Sequence, residues 1–448
     1  MIVDYPVAII ILDAELRIIE VNQPALDLFN ETHKAVKNKL FLSLILRQDI
    51  ERFKVAWMNV TVSKKNQYCE VRMFMPKGDI LFLRLDIGYH ETMDNIVIVA
   101  TDITYKKLIE DTQSYLLSYS WANEKRDFFQ SLAEYLSVIL KADYVCIDKL
   151  FGNQEAETVA VYYDGKFDDN VRYFLKDTPC GKVVGNPVCC FPSSVRKLFP
   201  KDLVLQEMIA ESYIGITLWG ASGKPVGLIA VISRKPLKDT KVSEMILKQV
   251  SIRTAAELEY RMHVTKFTAL SKSNHAMMYS TSENQLLRSV CRIITKDCDY
   301  PLMWIGFADN NEEKSISIVA SSGFEQDYLK TLNLTYADVE RGRGPTGTAI
   351  RTSHITICNN FLTDPKFTPW REQAVKRGYA SSAAIPLITD GKAYGAIMVY
   401  AREPEYFDEE EIKFLTELAN DLSQGITAIR LRTEKKMILS ELNSYRQN

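Results

Sequence analysis

Across the first hundred residues the apolar positions come in short runs of the kind strands leave: Val7–Leu12, Arg17–Val21, Cys69–Phe74, Ile80–Leu85 and Ile96–Ala100. Between the second and third runs, Pro24–Phe29 and Ile50–Thr61 carry helical spacing. Two strands, small helices and three strands predict an α+β domain built on one antiparallel sheet. After Thr104 the pattern changes. Leu108, Ile109, Leu116 and Leu117 recur at helical intervals, and no Pro or Gly interrupts Tyr105 to about Leu140. That predicts a connecting helix rather than a flexible linker.

The remainder of the chain repeats itself. Ile216–Leu218 followed by GKPVGLIAV at 223–231 matches Ile385–Leu387 followed by GKAYGAIMV at 391–399, an offset of about 168 residues. Gly223 pairs with Gly391, Gly227 with Gly395, Ile229 with Ile397 and Val231 with Val399. Each copy reads as strand, Gly-Lys turn, strand, a hairpin whose turn needs a glycine at positive φ. Strand pairs precede both hairpins, Tyr144–Leu150 with Thr158–Tyr163 and Met303–Ala308 with Ile316–Ala320. Helices follow them, Lys241–Met262 and Asp408–Arg432. Leu415, Leu418, Leu422, Ile426 and Ile429 form a stripe three or four apart, and Leu258, Met262 and Leu270 form a similar one. Such stripes pack on their own domain or on a second copy of the chain. Beyond residue 432 no sheet is left to cover, which favours a parallel dimer seam there.

Length and composition narrow the function classes. At 448 residues the chain has room for roughly three domains of about 150 residues. A net charge of −2 supplies no basic field for nucleic acid or anionic membrane. No apolar run nears the roughly 18 residues of a membrane span, and the N-terminus has no basic region or cleavage site of a secretory signal. Eight cysteines are too sparse for a disulfide scaffold, so a cytoplasmic, reduced setting is expected.

Two short stretches invite chemistry. GRGPTG at 342–347 spells the glycine pattern of a dinucleotide loop. Such a loop needs an apolar strand leading in and an acidic residue about 20 positions on. Here TYADVER leads in, and Asp364 lies in a Pro-flanked loop, so nucleotide binding is not expected. Gly344 permits a sharp turn and Pro345 suits the first turn of a helix over Thr346–Arg351. The N–H groups of that helix start either meet an anionic part of a ligand or form a plain cap. The second stretch places Cys180, Cys189 and Cys190 within eleven residues. No histidine lies between His90 and His263 to complete a zinc set, and no metal site is expected. Buried small apolar residues and a reversible Cys180–Cys189 disulfide both remain open.

ILDAELRIIEVNQPALDLF at 11–29, with Asn22, Ala25 and Phe29, resembles the opening of a PAS domain, and TDIT at 101–104 resembles its closing sequence. TPCGKVV (178–184), CCFP (189–192), FPKD (199–202) and AESYIGITL (210–218) resemble one GAF subfamily of bacterial and archaeal sensors. GRGPTGTAI (342–350), DPKFTPW (364–370) and RGYASSAAIPL (377–387) resemble another. The resemblance implies three α+β domains with central antiparallel sheets of six strands, one PAS-like and two GAF-like, joined by long helices. Its boundaries are a PAS-like domain at 1–104, a connecting helix at 105–125, GAF-like domains at 126–262 and 283–432, a linker helix at 263–282 and a C-terminal helix at 433–448.

In the second GAF-like unit the resemblance puts Gly344, Thr346 and Gly347 beside the ligand pocket, and Asn359, Asn360, Trp370, Arg371 and Tyr379 at its lid and wall. Cys180 and Cys189 fall where the first subfamily also carries cysteine. No cofactor is assigned. The flavin cysteine box, the bilin-attachment context and the NKFDE string are absent, and His33, His90, His263, His275 and His354 form no ligand pattern. His263 sits on a helix but without the acidic neighbour and proline of a kinase phosphoacceptor, and no kinase, GGDEF or EAL string appears. The expected function is a non-enzymatic, dimeric cytoplasmic sensor that binds small molecules or senses redox state. It passes that state through its helices to an output partner such as a histidine kinase or response regulator in trans. The alternative is a GAF-fold thiol enzyme reducing free methionine sulfoxide with Cys180, Cys189 and Cys190.

Overall fold

The computed structural model describes residues 5–75, 80–90, 95–118, 127–152, 154–323 and 327–447. They form two compact units, one running to Phe128 and taking in Lys238–Val250, the other made of Phe129–Leu237 with everything from Ser251 onward.

The N-terminal unit holds β1 (Ala8–Leu12), β2 (Ile18–Val21), β3 (Gln67–Phe74), β4 (Ile80–His90) and β5 (Asn95–Asp102) in one antiparallel sheet of order β2-β1-β5-β4-β3. Strict alternation in β4, with Leu83, Leu85 and Ile87 buried, makes one face of the sheet apolar. The helices Gln23–Phe29 and Ile50–Ser63 close over that face through Ala25, Phe29, Phe53 and Val60. Asn22 joins strand to helix. Its Oδ1 accepts from the Ile9 and Ala25 amides at 2.9 and 3.1 Å, and its Nδ2 donates to the Val7 carbonyl at 2.7 Å.

The connecting helix differs from the expectation of one continuous element. Thr104–Ser118 and Phe128–Leu140 are separate helices. The part of the expected 105–125 helix beyond residue 118 lies outside the described residues.

In the second unit the repeat extends to topology. The first copy comprises β6 (Tyr144–Phe151), β7 (Glu155–Tyr163), β8 (Lys166–Asp168), β9 (Arg172–Phe174), β10 (Val188–Phe191), β11 (Ser212–Trp219) and β12 (Pro225–Ser233). The second comprises β13 (Leu302–Ala308), β14 (Ile316–Gly323), β15 (Thr356–Cys358), β16 (Ser381–Thr389) and β17 (Lys392–Ala401). The order β7-β6-β12-β11-β10 in one sheet is the order β14-β13-β17-β16-β15 in the other, and β8 and β9 both pair with β7 as additions to the first. The three sheets therefore have five, seven and five described strands rather than six each. Gly223 and Gly391 turn their hairpins at φ +75° and +78°, as the sequence pattern requires.

Long helices follow both hairpins. Thr240–Tyr279 is continuous, so the expected linker helix is its C-terminal part, and Ser282 then caps a new helix, Glu283–Asp297. Glu409–Gln447 likewise joins the expected post-hairpin and C-terminal helices into one. Leu415, Leu418, Leu422, Ile426 and Ile429 are all buried against the outer face of the second repeat's sheet with Met303, Ile305, Ile385 and Ile397. That stripe packs on its own domain.

Candidate functional site

Each repeat buries the inner face of its sheet under short helices and loops, and the two inner faces differ in chemistry. In the second repeat, Trp304 on β13 points inward while its neighbours Met303 and Ile305 point to the helix side. Around Trp304 gather Tyr328, Phe361, Phe367, Trp370, Tyr379 and Tyr400. Phe361 and Phe367 stack at 3.6 Å, and Tyr379 lies 5.1 Å from Tyr400 and 5.7 Å from Tyr328. Tyr328 and Trp304 lie beside the Tyr400 hydroxyl. The Tyr328 hydroxyl, Trp304 Nε1 and Ser382 Oγ are buried without a hydrogen bond of good geometry. Such groups cost about 1–3 kcal/mol each and are met by a ligand or a water where one can enter.

The helix predicted at 346–351 runs from Pro345 to Thr352, with Gly344 as its N-terminal cap residue. Its glycines are fixed by close approach. A Cβ on Gly344 would lie 2.4 Å from the Trp370 ring, and one on Gly347 would lie 2.4 Å from the Gly342 carbonyl oxygen. Trp370 is held in place by its Nε1–H, which donates to the Leu332 carbonyl at 2.8 Å. Gly344, Thr346, Gly347 and Trp370 together line a cavity of about 20 Å³, beside Trp304 and Tyr400. That is room for about one water, so a larger ligand enters only by displacing side chains that line it, Trp370 among them.

The remaining expected residues sit elsewhere. Tyr379 belongs to the aromatic cluster but not to the lining of that cavity. Asn359 is exposed and its carbonyl accepts from the Glu405 amide at 2.7 Å. Asn360 Oδ1 accepts from the Leu362 amide at 2.9 Å, an Asx turn. Arg371 donates from Nε to the Phe361 carbonyl at 2.7 Å and from Nη2 to the Asp364 carbonyl at 2.8 Å, tying the lid loop to itself.

The first repeat's inner face carries a carboxyl instead. Hairpin register aligns Cys146 with Trp304 and Asp148 with Gly306. A Cβ on Gly306 would approach the Trp304 ring at 2.9 Å. The indole therefore fills in one repeat the space that a small thiol and a carboxyl share in the other. Asp148 has no exposed surface. Cys146 Sγ donates to its Oδ2 at 3.3 Å and the Tyr173 hydroxyl donates to the same oxygen at 2.9 Å, while Oδ1 has no partner. Burial outweighs both hydrogen bonds and pushes the carboxyl up to about 7.

Cys180 lies against this network and accepts from the Tyr213 hydroxyl at 3.3 Å. Burial, followed by the nearby Asp148 charge, pushes its thiol up to about 12. Cys189 is half-buried, its thiol donates to the Lys182 carbonyl at 3.0 Å, and burial also raises it. Cys190 is half-buried on the same strand, and all eight cysteines are free thiols. Protonated thiols beside a carboxyl can donate and accept hydrogen bonds, but make poor nucleophiles. Composition alone hides this network. Period-2 alternation through YVCIDKL at 144–150 would have set Cys146 and Asp148 on one buried face.

The two repeats share one topology, and each buries the inner face of its sheet. Residues 280–427 match the family model described as GAF domain. This GAF domain spans the whole second repeat, from the cap of the Glu283–Asp297 helix to the middle of the C-terminal helix. No curated protein matches the chain.

Among solved structures, a bacteriophytochrome from the photosynthetic bacterium R. palustris covers 94% of this chain and 96% of its own, at 10% identity and a TM-score of 0.39. The free methionine-R-sulfoxide reductase of Neisseria meningitidis, in complex with its substrate, covers 37% of this chain and 91% of its own, at 17% identity and a TM-score of 0.32. The GAF domain of an Acinetobacter phosphoenolpyruvate-protein phosphotransferase covers 38% and 97%, at 18% identity and a TM-score of 0.31. Among the described residues no helix is long and apolar enough to cross a membrane, and no three His, Cys, Asp or Glu gather as a metal site.

Proposed function

We propose that the chain is a non-enzymatic sensor of PAS-GAF-GAF arrangement, in which occupancy of a GAF pocket is relayed to the long helices. The observation that carries this reading is the two-faced strand β13. Trp304 enters the inner aromatic cluster, while Met303 and Ile305 on either side of it pack on the C-terminal helix. A ligand that shifts the inner side chains must shift the strand, and through Met303 and Ile305 the helix, because close-packed interiors transmit strain.

Further features support the finer points. The N-terminal sheet, closed by two helices and tied by Asn22, fits the PAS reading. Leu431, Met437, Ile438 and Leu439 are exposed on the C-terminal helix, as are Ile252, Tyr260, Val264 and Phe267 on the 40-residue helix. Apolar stripes of this kind fit a dimer of parallel helices. An output partner in trans, a histidine kinase or response regulator, and a cytoplasmic setting belong to the same reading. The thiol-enzyme alternative needs a thiolate, and Cys180 held up at about 12 speaks against it.

Native mass spectrometry of the purified chain, with its absorption spectrum, tests the proposal. The expected result is a dimer that carries, or takes up from a metabolite mixture, a non-covalent small molecule. A monomer that retains and binds nothing contradicts it.

A further inference from the structure

A cavity of about 250 Å³ opens between the two repeats and the 40-residue helix, away from both inner faces. Its volume is roughly that of eight waters. Five cationic side chains line it against three acidic ones. Most of these charges are answered locally. Arg172 bridges Glu155 and Asp299 at 2.8 and 2.9 Å, Arg261 pairs with Glu257 at 3.1 Å, and Lys266 pairs with Glu411 at 2.6 Å. Asp297 is held by Lys272 at 2.8 Å.

Two cations make no close ion pair with any described residue, Lys149, near the end of β6, and Arg402, just after β17; the Asp299 and Glu157 carboxylates act on Lys149, and Glu403 on Arg402, only at longer range. Lys149 has the Phe151 ring beside it, 4.6 Å from Nζ to the centroid, and burial holds its amine below the usual lysine range. Burial pushes the neighbouring Glu403 carboxyl up, while the Arg402 charge draws it back down. A half-desolvated ammonium without a carboxylate in contact costs free energy that a bound anion returns.

We propose that this cleft binds a small organic oxyanion, a carboxylate or a phosphate ester, with its charged head between Lys149 and Arg402 and its apolar body against Phe151. Arg402 supplies a planar fork and Lys149 a point charge, a pairing suited to either head group. Because Lys149 belongs to the first repeat and Arg402 to the second, the anion joins the two. It constitutes an input separate from the inner-face pockets of the proposed sensor.

Calorimetric titration of the full chain with inorganic phosphate, phenyl phosphate and benzoate tests this. The expected result is saturable binding in about the millimolar range or tighter. Preference for phenyl phosphate assigns the ester, and preference for benzoate assigns the carboxylate. Lys149→Met and Arg402→Gln should each weaken binding by about tenfold, the loss expected for one charge-assisted contact. If Lys149→Met does not fold, as read by circular dichroism, Arg402→Gln alone carries the comparison. No saturable binding of any of the three probes, or an affinity that the folded variants leave unchanged, overturns the proposal.

Discussion

The Tyr173 hydroxyl donates a 2.9 Å hydrogen bond to Oδ2 of Asp148, a carboxyl with no exposed surface in the middle of an apolar strand. Burial holds that carboxyl at about 7, above its ordinary 3.8. The folded chain therefore keeps a proton that the unfolded chain releases between those values. By linkage the contribution of this group to stability is full below about pH 4, falls as pH rises, and is lost by about pH 7. Denaturant unfolding at pH 5 and pH 8 should show wild type losing more stability than Asp148→Asn over that interval, by up to about 3 kcal/mol. Equal losses in both proteins would show that Asp148 is ionised in the fold.

Thiol reactivity follows from the same network. Cys180 is buried and held at about 12, whereas Cys189 is half-buried on an edge strand. Timed alkylation with peptide mapping should label Cys189 well before Cys180, and Cys180 at the rate of unfolding. Rapid native labelling of Cys180 would restore the thiol-enzyme reading.

Trp370 and Gly344 are coupled by contact. Gly344→Ala puts a methyl within 2.4 Å of the indole and should cost about 1–3 kcal/mol by overpacking. Trp370→Ala should cost about 3–5 kcal/mol. In the Trp370→Ala background, Gly344→Ala should cost almost nothing, since the atom it strikes is gone. Additive losses in thermal or urea unfolding would contradict the packing.

Oligomeric state tests the exposed stripe on the C-terminal helix. Leu431 and Ile438, 60% and 50% exposed, lie one heptad apart. Light scattering should find a dimer, and Leu431→Lys with Ile438→Lys should yield a folded monomer. A wild-type monomer at micromolar concentration removes the seam from the account.

Much of this architecture is legible in the sequence. The five strands of the N-terminal sheet lie where apolar runs set them, although β4 extends from the expected Leu85 to His90. The repeat read from Gly223 and Gly391 carries over into identical strand order. The three-residue strands β8 and β9 were not legible, because so short a segment has no period to detect. The site was less legible than the fold. Asn359, Asn360 and Arg371 carry polar groups that suit a ligand, yet the lid loop uses Asn360 and Arg371 for its own turn and carbonyls, and Asn359 stands exposed away from the cavity. Asp148 was missed because a single acid inside YVCIDKL does not disturb the strand pattern. Its partner Tyr173 and the neighbouring Cys180–Tyr213 pair are distant in sequence and are brought to it only by the fold.

The proposed sensor requires the inner face of the GAF domain to be coupled mechanically to the C-terminal helix through β13. Trp370→Ala opens a cavity the size of the lost ring, and indole is a probe that refills it. Hydrogen exchange of this variant with and without saturating indole, read over the part of Glu409–Gln447 that covers the sheet, tests the coupling directly. Indole should slow exchange in that helix as well as around the cavity. Protection confined to the pocket segments, with exchange in the helix unchanged, would contradict it.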